Sequence, residues 1–248
     1  MIKFIQTKDG SNTLFSTSFN QHYHSTKEGA LNESLSKHVI PAITYHKKKK
    51  ELYILDICFG LGYNTLATLL YIKQQNLKIK VNIFSPEFDT KLLHSLATFK
   101  YPKEFQEFQE IITTLSSHYK YSDKTIKIEL FNGDARKYLK NLYKRKIKFD
   151  IVYQDPFSSE VNPSLWTVQY FKDIASILKN DAILTTYSIA TPIRLSIYTN
   201  NLLIYEYKPI NSNRITIALN KKQINNQFKF IDMELKKIRN KTAKPLYD

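Results

Sequence analysis

Short compact apolar runs alternate along this chain with stretches of helical spacing. The runs are Leu52–Ile57, Ile79–Phe84, Ile126–Phe131, Phe149–Gln154 and Ala182–Tyr187, then Leu203–Tyr207 and Ile215–Leu219. Runs of this length, rich in Ile, Val, Leu and Phe, read as buried strands. Between them, 64–73 places Leu66, Leu69, Leu70 and Ile72 on one helical face. Helical patterning also covers 89–121, 135–143, 167–178 and 192–198. Strands alternating with helices predict a parallel sheet with right-handed crossovers. The last two strands are joined only by Lys208–Arg214, too short for a helix, so they are expected to be antiparallel. The predicted fold class is therefore α/β, with a seven-stranded, mostly parallel, Rossmann-like sheet whose last strand is antiparallel.

Two segments flank this body. Residues 1–45 read as an irregular extension, with a short strand at Thr13–Ser16 and helical spacing from Gly29 to Val39. Residues 221–248 carry eight Lys and Arg against three acids and read as a basic helix or a frayed tail. The expected division is 1–45, 46–220 and 221–248. No segment reaches the roughly 18–20 unbroken apolar residues of a membrane span, and the N-terminus turns polar too soon for a signal peptide. Cys58, the single cysteine, has no internal disulfide partner. Together these favour a cytoplasmic chain. Lys and Arg number 37 against 22 acids, a formal charge of +15. That field draws polyanions, with RNA and DNA foremost, although a Lys-rich proteome gives the same balance.

Glycine is scarce, with five in 248 residues, yet two of them fall in Phe59-Gly60-Leu61-Gly62, where the first strand turns into a helix. Such turns seat ligands at the carboxyl ends of strands in open α/β sheets. The third glycine of a dinucleotide fingerprint is replaced by Thr65, so the pyrophosphate motif fails. Asp56, with Asn64 beyond the turn, suits a cationic ligand without phosphate. S-adenosylmethionine is such a ligand; a tight turn without ligand is the plainer alternative. Acids follow the next three strands. Glu87, about 25 residues past the turn, can accept ribose hydroxyls or be a solvated loop acid. Asp134, followed by Ala135, can accept from an adenine amino group or simply cap the next helix. Asp155 follows the fourth strand, where the reacting group would lie. Seven strands with an antiparallel last one, and acids at these turns, form the layout of the class I methyltransferase variant of the Rossmann fold.

More specific marks lie outside the turn: Thr7-x-Asp9-Gly10-Ser11-x-Thr13-Leu14, Tyr23-His24-Ser25, Gly29-Ala30-Leu31-x-Glu33-Ser34, His38-Val39, Asp155-x-Phe157-Ser158 and Asn162-Pro163-x-Leu165-Trp166-Thr167. In these the chain resembles the methyltransferase domain of MnmC in its stand-alone form, over roughly residues 7–220. The resemblance implies transfer of a methyl group from S-adenosylmethionine to the amine of 5-aminomethyl-(2-thio)uridine at the tRNA wobble position, without the flavin oxidoreductase of the bifunctional relatives. It implies a partner, the tRNA anticodon loop, whose target base is splayed out at little cost. Pro156 and Ser159 depart from the usual residues of the family, which puts the path of that loop in question.

On this reading Asp155 orients the amine or takes its proton, and Phe157, Tyr23 and Trp166 stack on the uracil or exclude water, with Glu33 lining the pocket. Trp166 could equally be core, and Glu33 a helix-surface acid. Lys47–Lys50, Arg194, Arg214 and the basic tail are candidate phosphate contacts. No metal is expected, because the histidines lack ligand spacing, and Cys58 reads as a small apolar residue. Two rivals are an aminopropyltransferase-like enzyme acting on small amines, which a +15 protein would repel, and a silent RNA-binding protein, which has no need of Gly60, Gly62, Glu87, Asp134 and Asp155 together.

Overall fold

A computed structural model describes residues 4–223 and 227–248. Residues 1–3 of the N-terminal section and 224–226 of the basic tail lie outside the described residues. The N-terminal section is more regular than its sequence suggests. Strands β1 (Phe4–Gln6), β2 (Asn12–Ser16) and β3 (Gln21–His22) form a small antiparallel sheet. A helical stretch follows: α1 (Ala30–Glu33), a π-helical segment (Ser34–Val39) and α2 (Ile40–Tyr45). Pro41 offers no N–H to the carbonyl one turn back, and the helix is widened just ahead of it. The Thr7-Asp9-Ser11 marks fasten this section. Asp9 accepts from the Thr7 and Ser11 hydroxyls and from the Asn32 amide, while Ser11 Oγ accepts from the Ala30 amide at the start of α1.

The body then runs β4 (Glu51–Ile57), α3 (Tyr63–Gln74), β5 (Lys80–Glu87), α4 (Thr90–Ser95), α5 (Gln109–His118), β6 (Lys120–Ser122), β7 (Ile126–Asn132), α6 (Ala135–Lys144) and β8 (Phe149–Gln154). It continues through α7 (Val168–Ser176), β9 (Leu178–Thr186), α8 (Thr191–Tyr198), β10 (Leu203–Tyr207) and β11 (Ile215–Leu219), and the tail adds β12 (Lys229–Phe230) and α9 (Met233–Arg239). The sheet order is β12-β10-β11-β9-β8-β4-β5-β7-β6. All seven expected strands are present, with short antiparallel β6 and β12 added at the two edges. β5, β4, β8 and their neighbours β7 and β9 pair in parallel, whereas β11 runs antiparallel between β9 and β10.

The alternation of strand side chains explains the two cores. Ile54, Ile83, Ile151 and Ile183 bury on the face covered by α3, α5 and the N-terminal helix. Their neighbours Leu55, Phe84, Val152 and Leu184 bury on the face covered by α6, α7 and α8. Strands buried on both faces need the continuous apolar runs seen in the sequence, and each large side chain removed from water contributes about 1.5–3 kcal/mol.

The end of the chain is docked rather than frayed. The Val168 amide donates to the Leu246 carbonyl at 2.7 Å, and Arg136 holds the Asp248 carboxylate with two bonds of 2.7 Å. No described helix is long and apolar enough to cross a membrane.

Candidate active site

The chain reverses its order at β4: it steps outward through β5 to β7, then returns to lay β8 on the other side. That switch opens a crevice beyond the carboxyl ends of β4 and β8. Into it runs a cavity of about 800 Å³, ample for a small-molecule ligand.

One wall is the turn after β4. Cys58, Gly60 and Gly62 all take left-handed backbone angles, with φ of 66°, 55° and 74°. A Cβ on Gly62 would lie 2.7 Å from Phe59 Cζ, so the Phe59 ring packs where only glycine leaves room. Phe59, Gly60, Asn64 and Cys58 line the cavity. Gly62 and Asp56 are not among the lining residues. Gly62 starts α3, and Asp56 is fully buried behind the turn, accepting from Thr65 Oγ1 at 2.8 Å and Asn64 Nδ2 at 3.4 Å. The expectation that both contact the cofactor is therefore corrected: they brace the turn from behind. The period-2 alternation explains Asp56, which shares the face of Leu52 and Ile54 and so points toward α3. Burial pushes its carboxyl up to about 7, with the Thr65 hydroxyl opposing and the Asp155 charge adding to the rise.

Glu87, Asp134, Ala135 and Asp155 all line the cavity. Glu87 reaches back to the turn, accepting from the Gly60 amide at 2.7 Å and the Asp89 amide at 2.8 Å. Burial nonetheless pushes its carboxyl above the ordinary range. Asp134 caps α6 through the Lys137 amide at 2.9 Å and also lines the cavity.

Asp155 accepts from Asn64 Nδ2 at 2.9 Å, and its other oxygen lies 3.4 Å from His38 Nε2. Burial alone would raise its pKa. The nearby His38 imidazole, then His24 and the Asn64 amide, overcome that and hold the carboxyl below its usual range.

The N-terminal section closes the opposite wall with Phe19, Gln21, Tyr23, His24 and Glu33. Phe157 stacks on Phe19 with centroids 4.8 Å apart and lies 5.1 Å from Tyr23. The Asp155–Ser158 loop is pinned on three sides. Gln21 Nε2 donates to Ser158 Oγ at 2.8 Å, Tyr187 donates to the Pro156 carbonyl at 3.0 Å, and Trp166 Nε1 donates to the Phe157 carbonyl at 2.8 Å. Glu33 lines the cavity, but its carboxylate is engaged by the Ser25 amide and Lys37 Nζ at 2.7 and 2.8 Å.

Trp166 is the clearest correction: its ring is fully buried against Phe171 and Tyr187 and cannot stack on a substrate. Arg194 is likewise buried, bonded to Thr216 and Glu206, and is removed from the candidate phosphate contacts. Lys47–Lys50 precede β4 and so sit at the end of the sheet away from the cavity, where Lys49 pairs with Asp150 and Asp181. Arg214 stays exposed beside Glu206, while Lys91, unremarked in the sequence, lines the cavity. Also unassigned by the sequence were Phe19, Gln21, Tyr187 and any role for His38. Each acts through a partner distant in the chain, although His38 and His24 stand inside the motif runs.

The cavity's donor set fits S-adenosylmethionine. Five carboxylates line it (Glu33, Glu87, Asp89, Asp134 and Asp155), which favours a cation and disfavours phosphate. Asn64 Oδ1 is buried with no hydrogen-bond partner among the described residues, an acceptor left over for an amino group. Among the described residues, no group of three or more His, Cys, Asp or Glu is arranged to hold a metal ion.

Comparison with known proteins agrees with this geometry. Residues 98–222 match the sequence profile of an S-adenosyl-L-methionine-dependent methyltransferase family. The crystal structure of MNMC2 from Aquifex aeolicus superposes with a TM-score of 0.84 at 29% identity, covering 100% of this chain and 79% of that one. An uncharacterised protein of Methanocaldococcus jannaschii is 28% identical over 86% of this chain and 58% of its own length. The tRNA 5-methylaminomethyl-2-thiouridine biosynthesis bifunctional protein MnmC of Pseudoalteromonas atlantica is 23% identical over 72% of this chain. The chain spans 28% of that bifunctional protein's length.

Proposed function

This chain belongs to the S-adenosyl-L-methionine-dependent methyltransferase family, is similar to the methyltransferase region of MnmC, and we propose that it methylates the exocyclic amine of 5-aminomethyl-(2-thio)uridine at the wobble position of tRNA. S-adenosylmethionine is the cofactor, and when bound it supplies an electrophilic methyl group.

The observation that carries the proposal is the placement of Asp155. Its carboxylate is fixed by Asn64 from the glycine turn, in a cavity that is also lined by the mutually packed Phe157, Phe19 and Tyr23 rings. A planar base bearing an aminomethyl arm matches that pairing, with the ring against the aromatic wall and the ammonium against the carboxylate. Orienting such an arm is worth several kcal/mol, since well-aligned reacting groups gain roughly 7–11 kcal/mol in the best models. Phe59, Gly60, Asn64, Glu87, Asp134 and Ala135 form the cofactor side; Tyr23, Phe157 and Glu33 form the acceptor side. The charge of +15 supports an RNA substrate and weighs against a free polyamine.

The test is transfer of radiolabelled methyl to total tRNA from cells lacking this gene, followed by nucleoside analysis. Label in 5-methylaminomethyl-(2-thio)uridine is expected. Label on small amines instead, or RNA binding with no methyl transfer, would overturn the proposal.

A further inference from the structure

An aminomethyl group arrives protonated at neutral pH, and the ammonium must lose a proton before its nitrogen can accept a methyl group. Asp155 is a poor final acceptor for that proton, because a carboxylate held in its ionised form is a weak base. Resting on the function proposed above, we infer that His38 is the proton acceptor, acting through Asp155 as a positioning residue that does not itself touch the substrate.

His38 lies in the π-helical segment ahead of Pro41 and is fully buried. Its Nδ1 is 2.8 Å from Thr185 Oγ1 on β9. A hydroxyl there can donate or accept, so it satisfies either tautomer of the imidazole and also the imidazolium. Nε2 points the other way. Among the described residues it has no hydrogen-bond partner, and Asp155 Oδ1 lies 3.4 Å off. A proton arriving at Nε2 would therefore face the Asp155 carboxylate rather than a competing protein donor. The other Asp155 oxygen is already taken by Asn64, so Oδ1 is the oxygen placed between the cavity and the imidazole.

The charged groups around His38 come from four elements. Asp155 follows β8, Asp56 ends β4, His24 sits in the N-terminal loop, and Lys37 adjoins it but is paired with Glu28 and Glu33. The Tyr153 ring packs edge-on at 5.8 Å. Of these charged groups, Asp155 lies within 4 Å of the imidazole, and burial holds the neighbouring His24 below its ordinary pKa, so that it adds no competing positive charge.

The balance is simple. One N–H bond of the ammonium breaks, its proton moves onto Asp155 Oδ1 and from there to His38 Nε2, and Asp155 is again an anion. The amine is left neutral with its lone pair free. When product leaves, His38 returns the proton through Asp155 to water.

The deciding variants are His38→Gln, whose amide still donates to Asp155 but takes no proton, and His38→Ala. Calorimetry of S-adenosylmethionine binding shows whether each variant retains its fold. At pH 7, His38→Gln is expected to lose roughly 10²-fold in single-turnover rate, with the gap to wild type closing toward pH 9.5 as the amine deprotonates in solution. A rate gap that stays constant with pH, or a fully active His38→Gln, would each overturn the inference. An inactive wild-type protein on amine-bearing tRNA would overturn the proposed function and this inference with it. An active wild type beside a pH-independent gap overturns the inference alone.

Discussion

Asn64 Nδ2 donates to Asp155 Oδ2 across 2.9 Å, tying the first turn of α3 to the residue that follows β8. The two are 91 positions apart in the chain. The bond joins the wall proposed for the cofactor to the carboxylate proposed for the amine.

Asp155→Ala is expected to keep S-adenosylmethionine affinity within a few-fold while turnover falls about 10²–10³-fold, since what is lost is orientation of the acceptor. Calorimetry and single-turnover methylation check this. A large loss of cofactor affinity with unchanged turnover at saturation would place Asp155 on the cofactor side instead.

Gly62→Ala adds a methyl group 2.7 Å from Phe59 Cζ at a residue with φ of 74°. A left-handed non-glycine residue alone costs about 1–3 kcal/mol. The variant should melt several degrees lower and bind cofactor more weakly, because Phe59 must leave its place. Gly60→Ala, at a φ of 55°, carries the same left-handed backbone cost, and its Cβ would lie 3.3 Å from Tyr23 Cδ1, so it should lower the melting temperature and also disturb the acceptor side by moving that ring.

Asp56 couples the turn to pH. Its carboxyl is raised to about 7 in the folded protein, so the folded state holds a proton that the unfolded chain releases near 4. The stability this gives is complete below the unfolded value and is lost as pH rises through about 7. Asp56→Asn removes the ionisation. Thermal melts at pH 5 and pH 8 should differ less in the variant than in wild type, by about 3–6 °C. An equal or larger difference would show that Asp56 is ionised at both values.

Trp166→Phe keeps a buried ring but leaves the Phe157 carbonyl without the bond from Nε1. An unsatisfied acceptor of this kind costs about 1–3 kcal/mol. Because that carbonyl belongs to the loop carrying Asp155, turnover should fall several-fold while cofactor affinity stays near wild type. Steady-state kinetics beside calorimetry separates the two effects.

Much of this could be read along the chain because it is local. Alternation between adjacent positions, as in Ile54 and Leu55, set both faces of β4. The short Lys208–Arg214 link forced an antiparallel pair. The Gly60–Gly62 turn and the acids Glu87, Asp134 and Asp155 fell at strand ends, and a parallel sheet gathers such ends on one edge. Trp166 and Arg194 misled for one common reason. Residue type states what a side chain can contact, but not which side of the fold it faces.

The sequence by itself determined the order of strands and helices, the glycine turn, and the acids on the carboxyl edge of the sheet, since period, turn chemistry and spacing are properties of neighbouring residues. Only the tertiary structure decided that Asp56 and Gly62 stand behind the turn, that Trp166 supports the Asp155 loop from the core, and that His38 faces Asp155 at 3.4 Å. The first two relations join residues fewer than ten positions apart, but which way each side chain faces is set only once the sheet and its helices have packed. The His38–Asp155 pair joins distant residues, because the N-terminal helix packs across β8 and β9, and no local pattern encodes that packing.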